Sequence, residues 1–334
     1  MYKVTLSMPV YNVAPYVERA LLSALNQTFD SIEFLIVDDR GTDNSMDIVR
    51  KIVAEHPRGK DVRIIEHPHN IGTGATKNTA IDNAKGKYLF FMDSDDEITP
   101  DCIEVLYKAM MEDGPVDFVA GSYDIIDIEG NIKSGLKYKR VKMCGRLKLA
   151  ESVFRIRDKF SITTWNKLYD IDFLRSNHIK CYPHHLNEDN IFTFDVILKS
   201  DTCILISEIT LRQYQRENST EYNRRLFLSV RNVREFMEIY SYYKSSLYKY
   251  NEETVYLSLL SWIIASMCNF CHKIYSDSEL SYIEKKYYIK RIMNIDVDFK
   301  SLFGLFTISV KNYYYVVCLF LPYRLKVVAL SLLG

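Results

Sequence analysis

The sequence predicts an α/β protein: a doubly wound, mostly parallel sheet followed by a helical C-terminal region. Two observations carry this. Over the first 120 residues, short β-rich runs alternate with longer helical patterns, the rhythm of a parallel sheet covered on both faces. The composition then changes. Ten of the twelve glycines lie at or before Gly145 and none between 146 and 303, whereas 14 of the 25 tyrosines lie after residue 222, where the pattern is almost wholly helical.

Taken in order, strands are expected at 4–8, 33–37, 62–66, 88–92 and 117–120, and the helices between and after them at 15–25, 43–54, 74–83 and about 100–111. Thr42 or Asp43 is placed to cap the second helix. Residues 123–137 resemble a hairpin around Glu129-Gly130-Asn131, and helical patterns at 148–157 and 190–199 precede a strand near 203–207. No internal repeat or low-complexity linker interrupts the chain.

At 334 residues the chain has room for about two domains. Its 43 Lys+Arg balance 43 Asp+Glu, which excludes the broad basic footprint of a nucleic-acid binder. With 26% charged and 48% hydrophobic residues, neither global disorder nor a polytopic membrane protein fits. The apolar stretch at residues 4–10 is too short for a signal peptide, so a cytoplasmic protein is expected. Seven cysteines in no framework-like spacing are expected as reduced thiols. Cys268-Asn269-Phe270-Cys271-His272 matches a haem-attachment pattern but lies in an apolar run, 257–274, that reads as a buried helix with packing thiols. Seven basic residues and no acid between Lys133 and Lys148 suit a solvated hairpin face or attraction of an anionic ligand.

Parallel sheets place ligands beyond the strand carboxyl ends, so the residues there carry the chemistry. After the first strand, Pro9-Val10-Tyr11-Asn12 offers a stiffened turn and a ring that could stack on a base or simply pack. After the second, Asp38-Asp39 can accept hydrogen bonds from a base N–H or a ribose hydroxyl. The third is followed by Asn70-Ile71-Gly72-Thr73-Gly74-Ala75-Thr76-Lys77, a glycine-bearing loop opening a helix and suited to phosphate or ribose. It lacks the third glycine and the first-strand position of a dinucleotide fingerprint. The fourth ends in Asp93-Ser94-Asp95-Asp96-Glu97. Four acids in five positions repel one another unless solvated or bound to a cation, and Asp93 and Asp95 can face one hard divalent ion. The bland alternative is an acid-rich helix start.

In order and spacing these motifs resemble glycosyltransferase family 2, whose donor domain has the GT-A fold. The resemblance covers about residues 3–220 and extends to Trp165-Asn166-Lys167-Leu168-Tyr169 and Asn187-Glu188-Asp189-Asn190, which look like the family's acceptor-side segment and Glu-Asp motif. It implies a catalytic domain at 1–220, with a nucleotide-sugar part at about 1–120 and an acceptor part at about 121–220, and a helical region at 221–334. It implies inverting transfer of a sugar from a nucleotide diphosphate, with uridine the expected base, to a hydroxyl of a glycan or lipid-linked glycan. Pro9, Tyr11, Asp39, Asn70, Gly74, Lys77, Asp93 and Ser94 then bind nucleotide sugar, Asp93 and Asp95 hold magnesium or manganese, Asp189 is the base, and Glu188 orients it or meets the acceptor. Arg216 and Ser219, in a segment like the family's mobile one, would close over the diphosphate. Trp165 is an acceptor platform or core, and His184 or His185 could add a ligand or bind acceptor. Arg40-Gly41 stands where the family usually has Gly-Ser, and Lys77 and Ala80 where it has Arg and Gly; lysine keeps the charge but lacks the planar fork.

Beyond Asp298 there are four basic residues and no acid, and the uncharged runs 301–310, 312–323 and 327–334 are each too short to span a bilayer. The tail, 299–334, is expected to lie on the cytoplasmic membrane face as a peripheral attachment, or to be a helical or dimer element. Two other readings remain: a nucleotidyltransferase, and a noncatalytic binding module of the same fold.

Overall fold

The computed structural model describes residues 2–112, 114–156, 159–183, 187–216, 229–251, 253–306 and 311–331. The chain forms two compact units, Met1–Leu149 with Ser161–Glu217, and Ala150–Phe160 with Asn218–Gly334.

The first unit is a mixed sheet with helices on its faces. Its opening elements are β1 (Val4–Val10), α1 (Val17–Leu25), β2 (Ile32–Asp38), α2 (Ser45–Glu55), β3 (Val62–Glu66), α3 (Thr73–Asn83) and β4 (Tyr88–Phe91). Next come β5 (Glu97–Ile98), α4 (Cys102–Met110), β6 (Phe118–Ile126), β7 (Ile132–Ser134), β8 (Val141–Cys144) and a short α5 (Lys148–Ala150). After the excursion into the second unit follow β9 (Lys167–Asp170), α6 (Ile171–Ser176), α7 (Glu188–Lys199) and β10 (Thr202–Tyr214). The strand order is β3-β2-β1-β4-β9-β6-β10-β5, with β7 on β6 and β8 on β10.

Strands β1 to β4 are mutually parallel where they pair, as is β6 with β10, but β9 lies antiparallel between β4 and β6. The short β5, β8 and β9 were not expected. The strand anticipated near 203–207 extends to Tyr214, and the anticipated 148–157 helix is a single α turn followed by a π-helical stretch, Glu151–Ile156.

Every residue of β2 is buried, as a strand covered on both faces requires. Its one acid inside the run, Glu33, accepts from Thr5 Oγ1 at 2.7 Å and Lys85 N at 2.9 Å and pairs with Arg63 at 2.7 Å, so burial leaves no unpaired charge. Helix α1 buries Val17, Ala20, Leu21, Ala24 and Leu25, and α4 buries Cys102, Ile103, Leu106, Ala109 and Met110, the stripe that each lays on the sheet.

The second unit contains α8 (Val230–Leu247), α9 (Tyr256–Ser276), α10 (Tyr282–Ile292), α11 (Phe299–Leu305), α12 (Lys311–Phe320) and α13 (Tyr323–Ser331). Helix α9 is its core and packs against the other five and the π-helical stretch, where Phe154 meets Trp262 at 5.0 Å between ring centroids. By length and composition α9 could cross a membrane, yet 67% of its apolar stretch is buried inside the protein. Cys268 and Cys271 are fully buried in it, as packing thiols are, and all seven cysteines are free. From the tail, Leu302, Leu305, Val316, Cys318 and Leu330 are buried, while Phe303, Val317, Phe320 and Leu325 are exposed.

Candidate functional site

The carboxyl ends of β1, β2 and β3 are laced together by their backbones. Asp39 N donates to Val10 O at 3.1 Å and His67 N to Asp38 O at 2.9 Å. Pro9 lies beyond the last β1–β4 pair, Ser7 with Phe91, where β4 asks no donor of it. Asn12 Oδ1 accepts from Thr42 N at 2.7 Å, and a Cβ on Gly41 would fall 2.8 Å from Asn12 N, so glycine is required there. Arg40 holds a left-handed φ of 56°, the backbone state that glycine adopts most easily. Its N–H donates to Asp38 Oδ1 at 2.8 Å, its Nε to His67 O at 2.6 Å, and its guanidinium pairs with Glu66 at 3.0 Å.

Asp39 is 2% exposed and organises the loop after β3. Its Oδ1 accepts from Ile71 N at 3.0 Å and lies 2.8 Å from His67 Nδ1; its Oδ2 accepts from Asn70 Nδ2 and Gly72 N, both at 2.9 Å. His67 is in turn 2.9 Å from Thr79 Oγ1 of α3. Tyr11, in contrast, is 46% exposed, with its ring available to a ligand.

At the end of β4, carboxylate oxygens of Asp93, Asp95 and Asp96 lie within 4.8 Å of one another. Burial pushes Asp93 up to about 7, with Lys77 opposing and Asp95 and Asp189 adding to the rise. Asp96 is raised further by burial and by its two acidic neighbours, although Tyr214 N donates to it at 2.9 Å. Arg216 Nε stands 2.8 Å from Asp95 Oδ2, and Arg19 donates to the Asp95 carbonyl at 2.5 Å while stacking on Tyr214.

A second acidic wall faces Lys77. Helix α7 begins at Glu188 and Asp189, whose first-turn position also suits the positive end of the helix. One turn on, Phe192 packs edge-on against Phe91 of β4 at 6.1 Å and Tyr169 of β9 at 5.5 Å, so an aromatic cluster sets where the helix start sits relative to the β4 end. Lys77, on α3, reaches Glu188 Oε1 at 3.1 Å and Asp189 Oδ1 at 2.8 Å. Burial lowers its affinity for the proton, but the two acids together raise it well above the usual lysine range. Glu188 is raised by burial, Lys77 opposing.

The site therefore brings together Pro9, Tyr11, Asp39, Asn70, Gly74 and Lys77 on three neighbouring strand ends and the start of α3, Asp93, Ser94 and Asp95 at β4, and Glu188 and Asp189 on α7. Gly74 faces the Tyr182 carbonyl and Glu188 Cβ, where a side chain would come within 2.4 Å and 3.0 Å. Ser94 is 6% exposed. Trp165 is 4% exposed and packs edge-on against Tyr123 at 4.8 Å, within the core. Ser219, His184 and His185 lie outside the described residues.

Three residues of the site carried no role of their own in the sequence reading. His67 sits one residue past β3 and clamps Asp39; its place at a strand end was the available signal. Asp96 joins the β4 acids through a burial that depends on Tyr214. Lys167, 1% exposed at the start of β9, donates to Thr163 O at 2.6 Å; burial pushes its ammonium down to about 7, Asp189 pulling the other way and Lys77 adding to the drop. Its place in the Trp165–Tyr169 segment was the available signal.

Comparison with known proteins gives the family and the fold. An uncharacterized glycosyltransferase of Haemophilus influenzae is 36% identical over 128 residues, covering 38% of this chain and 50% of that protein. Glycosyltransferase GlyA of Streptococcus pneumoniae is 30% identical over 216 residues, 62% of this chain and 30% of its own length. The chain thus spans half or less of these relatives. The crystal structure of S. aureus TarS 1-349 in complex with UDP-GlcNAc superposes with a TM-score of 0.58 at 18% identity, covering 95% of this chain and 79% of that one, so the GT-A fold is shared. The profile of Glycosyl transferase family 2 matches residues 5–181, more than half of the chain and all four strand ends described above, and the chain belongs to that family.

Proposed function

We propose that this chain transfers a sugar from a uridine diphosphate sugar to a hydroxyl of a glycan or lipid-linked glycan, with inversion and with a divalent cation. One observation carries the reading: the acids that end β4 and the acid pair that starts α7 are held in register by an aromatic cluster and share one buried lysine. Asp189 would take the proton of the acceptor hydroxyl as its oxygen attacks the anomeric carbon, and the bond to the diphosphate breaks with the electron pair leaving on phosphate. Tyr11 would stack on the base. Asp39 would act through the loop it orders, presenting Asn70 and the start of α3 to the donor. Arg216 would meet the diphosphate. Uridine is favoured because the structurally similar TarS was crystallised with UDP-GlcNAc and with UDP.

The β4 acids fit a resident metal. Three crowded carboxylates, two of them raised by burial and mutual repulsion, are an all-oxygen set of the kind magnesium or manganese takes. Asp93, Asp95 and Asp96 would hold it. When bound, such an ion neutralises charge developing on the departing diphosphate. The test is a panel of nucleotide sugars with manganese, magnesium or excess chelator, scored by release of nucleoside diphosphate. Full turnover in chelator would remove the metal from the proposal, and pyrophosphate exchange in place of sugar release would favour a nucleotidyltransferase.

A cytoplasmic location with peripheral contact to the membrane is part of the same proposal, supported by exposed Phe303, Phe320 and Leu325 in an acid-free tail.

A further inference from the structure

The residue that joins the two acidic walls has a second reading besides contact with the donor. Lys77 is 3% exposed, and two of its three N–H donors are spent on Glu188 and Asp189, 111 and 112 residues away in sequence. The helix that carries it is fastened to the segment leading into α7. Asn78 Nδ2 donates to Cys181 O at 2.8 Å and Cys181 N donates to Asn78 Oδ1 at 2.8 Å, a reciprocal pair one residue from Lys77. One turn before it, Gly74 lets that same segment approach to within a side chain's width, through the Tyr182 carbonyl and Glu188 Cβ. Among the described residues, Asp189 Oδ1 is engaged by Lys77, whereas its Oδ2 accepts from no side chain, and Asp189 keeps 22% of its side chain exposed.

We infer that Lys77 is a positioning residue for the transfer step, holding Asp189 by one oxygen so that the other is left to take the acceptor proton, and tying the base to the helix that opens behind the donor loop. This rests on Asp189 being the base. The tie gives the chain a mechanical link between its two half-sites, because Asp39 fixes the loop at Gly72 and that loop runs directly into α3. The charged and titratable groups around Lys77 are Glu188 and Asp189 of α7, Asp93 beyond β4 and Cys181 before α7, with Lys167 of β9 coupled to it as well.

The experiment compares Lys77→Met, Lys77→Arg and Asp189→Asn in the full chain. UDP affinity is measured by calorimetry in manganese, and kcat and KM on whichever UDP-sugar of the panel the wild type uses fastest. Positioning predicts that Lys77→Met leaves the Kd for UDP within about threefold of wild type. It should lower kcat by about tenfold to a hundredfold, the scale of a misplaced catalytic group. Lys77→Arg should restore most of the turnover. If Lys77→Met fails to fold, Lys77→Gln, which keeps a donor toward the two acids without the charge, is read in the same way. A weakened UDP Kd with kcat unchanged at saturation, or a Lys77→Arg variant as slow as Lys77→Met, overturns the inference. Unchanged turnover in Asp189→Asn instead overturns the base assignment, so the two failures are distinct.

Discussion

Replacing Asp39 should cost stability before it costs chemistry, and the asparagine variant is the informative one. The carboxylate is buried and serves four donors: His67 Nδ1, Ile71 N, Asn70 Nδ2 and Gly72 N. In Asp39→Ala the buried His67 loses a charge-assisted bond worth about 2 kcal/mol, and three half-exposed donors lose about 0.5–1 kcal/mol each, since water can partly replace the acid. Relief of the buried charge returns about 1–2 kcal/mol. The net loss is about 1.5–4 kcal/mol, which for a unit of this size lowers the Tm by about 3–16 °C. Asp39→Asn is nearly isosteric, yet it should recover little. The two backbone donors lie on different oxygens, Ile71 N on Oδ1 and Gly72 N on Oδ2, and an amide has only one acceptor, so either flip sets its NH2 group against a backbone N–H. Asn70 can turn its own amide to adapt, but a peptide group cannot. Urea unfolding followed by tryptophan fluorescence and far-UV circular dichroism measures the difference, with UDP binding as a second readout, since a loosened loop should bind donor less well. Stability of Asp39→Asn within about 0.5 kcal/mol of wild type would refute the loop-organising role and leave Asp39 as a direct ligand contact.

Three other outcomes are expected. Asp189→Asn should keep donor affinity near wild type and lower turnover about a hundredfold or more, as loss of a general base does; stopped donor-turnover assays with and without acceptor check it. Asp127, held at about 2 first by Lys133 and then by the Asn131 and Glu129 backbone, has a folded value below its unfolded 3.8. Its contribution to the 127–134 turn is therefore complete above about pH 4 and lost as pH falls through 2, and a carboxyl titration by NMR with a midpoint near 3.8 would contradict it. Serine at exposed Phe303, Phe320 and Leu325 together should release the protein from anionic vesicles at low salt without changing its Tm, whereas Leu305→Ser, which is buried, should lower the Tm. Absence of any binding to such vesicles by the wild type would end the membrane proposal. Truncating the tail is a poorer test, because Leu302, Leu305, Val316 and Leu330 are buried in the helical unit and their removal would uncover apolar surface.

Much of the first unit could be read locally. Strands β1, β2 and β4 and helix α1 announce themselves because each buries a continuous run or a regular stripe, and burial on a given face is what hydrophobic spacing reports, whereas β3 at the sheet edge is only partly buried. The strand-end motifs were legible for the same reason: where a buried run stops and polar residues begin, a parallel sheet exposes its ligand-facing edge. Strand β9 was not legible. Lys-Leu-Tyr-Asp is four residues with no alternation, and it becomes a strand because β4 and β6 leave an antiparallel slot between them. Nor could spacing decide that Trp165 is core, that Asp96 joins Asp93 and Asp95, or that Lys77 faces Glu188 and Asp189. Asp96 depends on a backbone donor at Tyr214, 118 residues on, and Lys77 on a helix 111 residues on. The sequence alone determined where the apolar runs and stripes of the early elements lie and which chemistry each strand end carries, since those follow from the chain's own periodicity. Which charges meet was decided only by tertiary structure, because an ion pair is set by the elements that packing brings side by side, and no local pattern encodes a partner a hundred residues away.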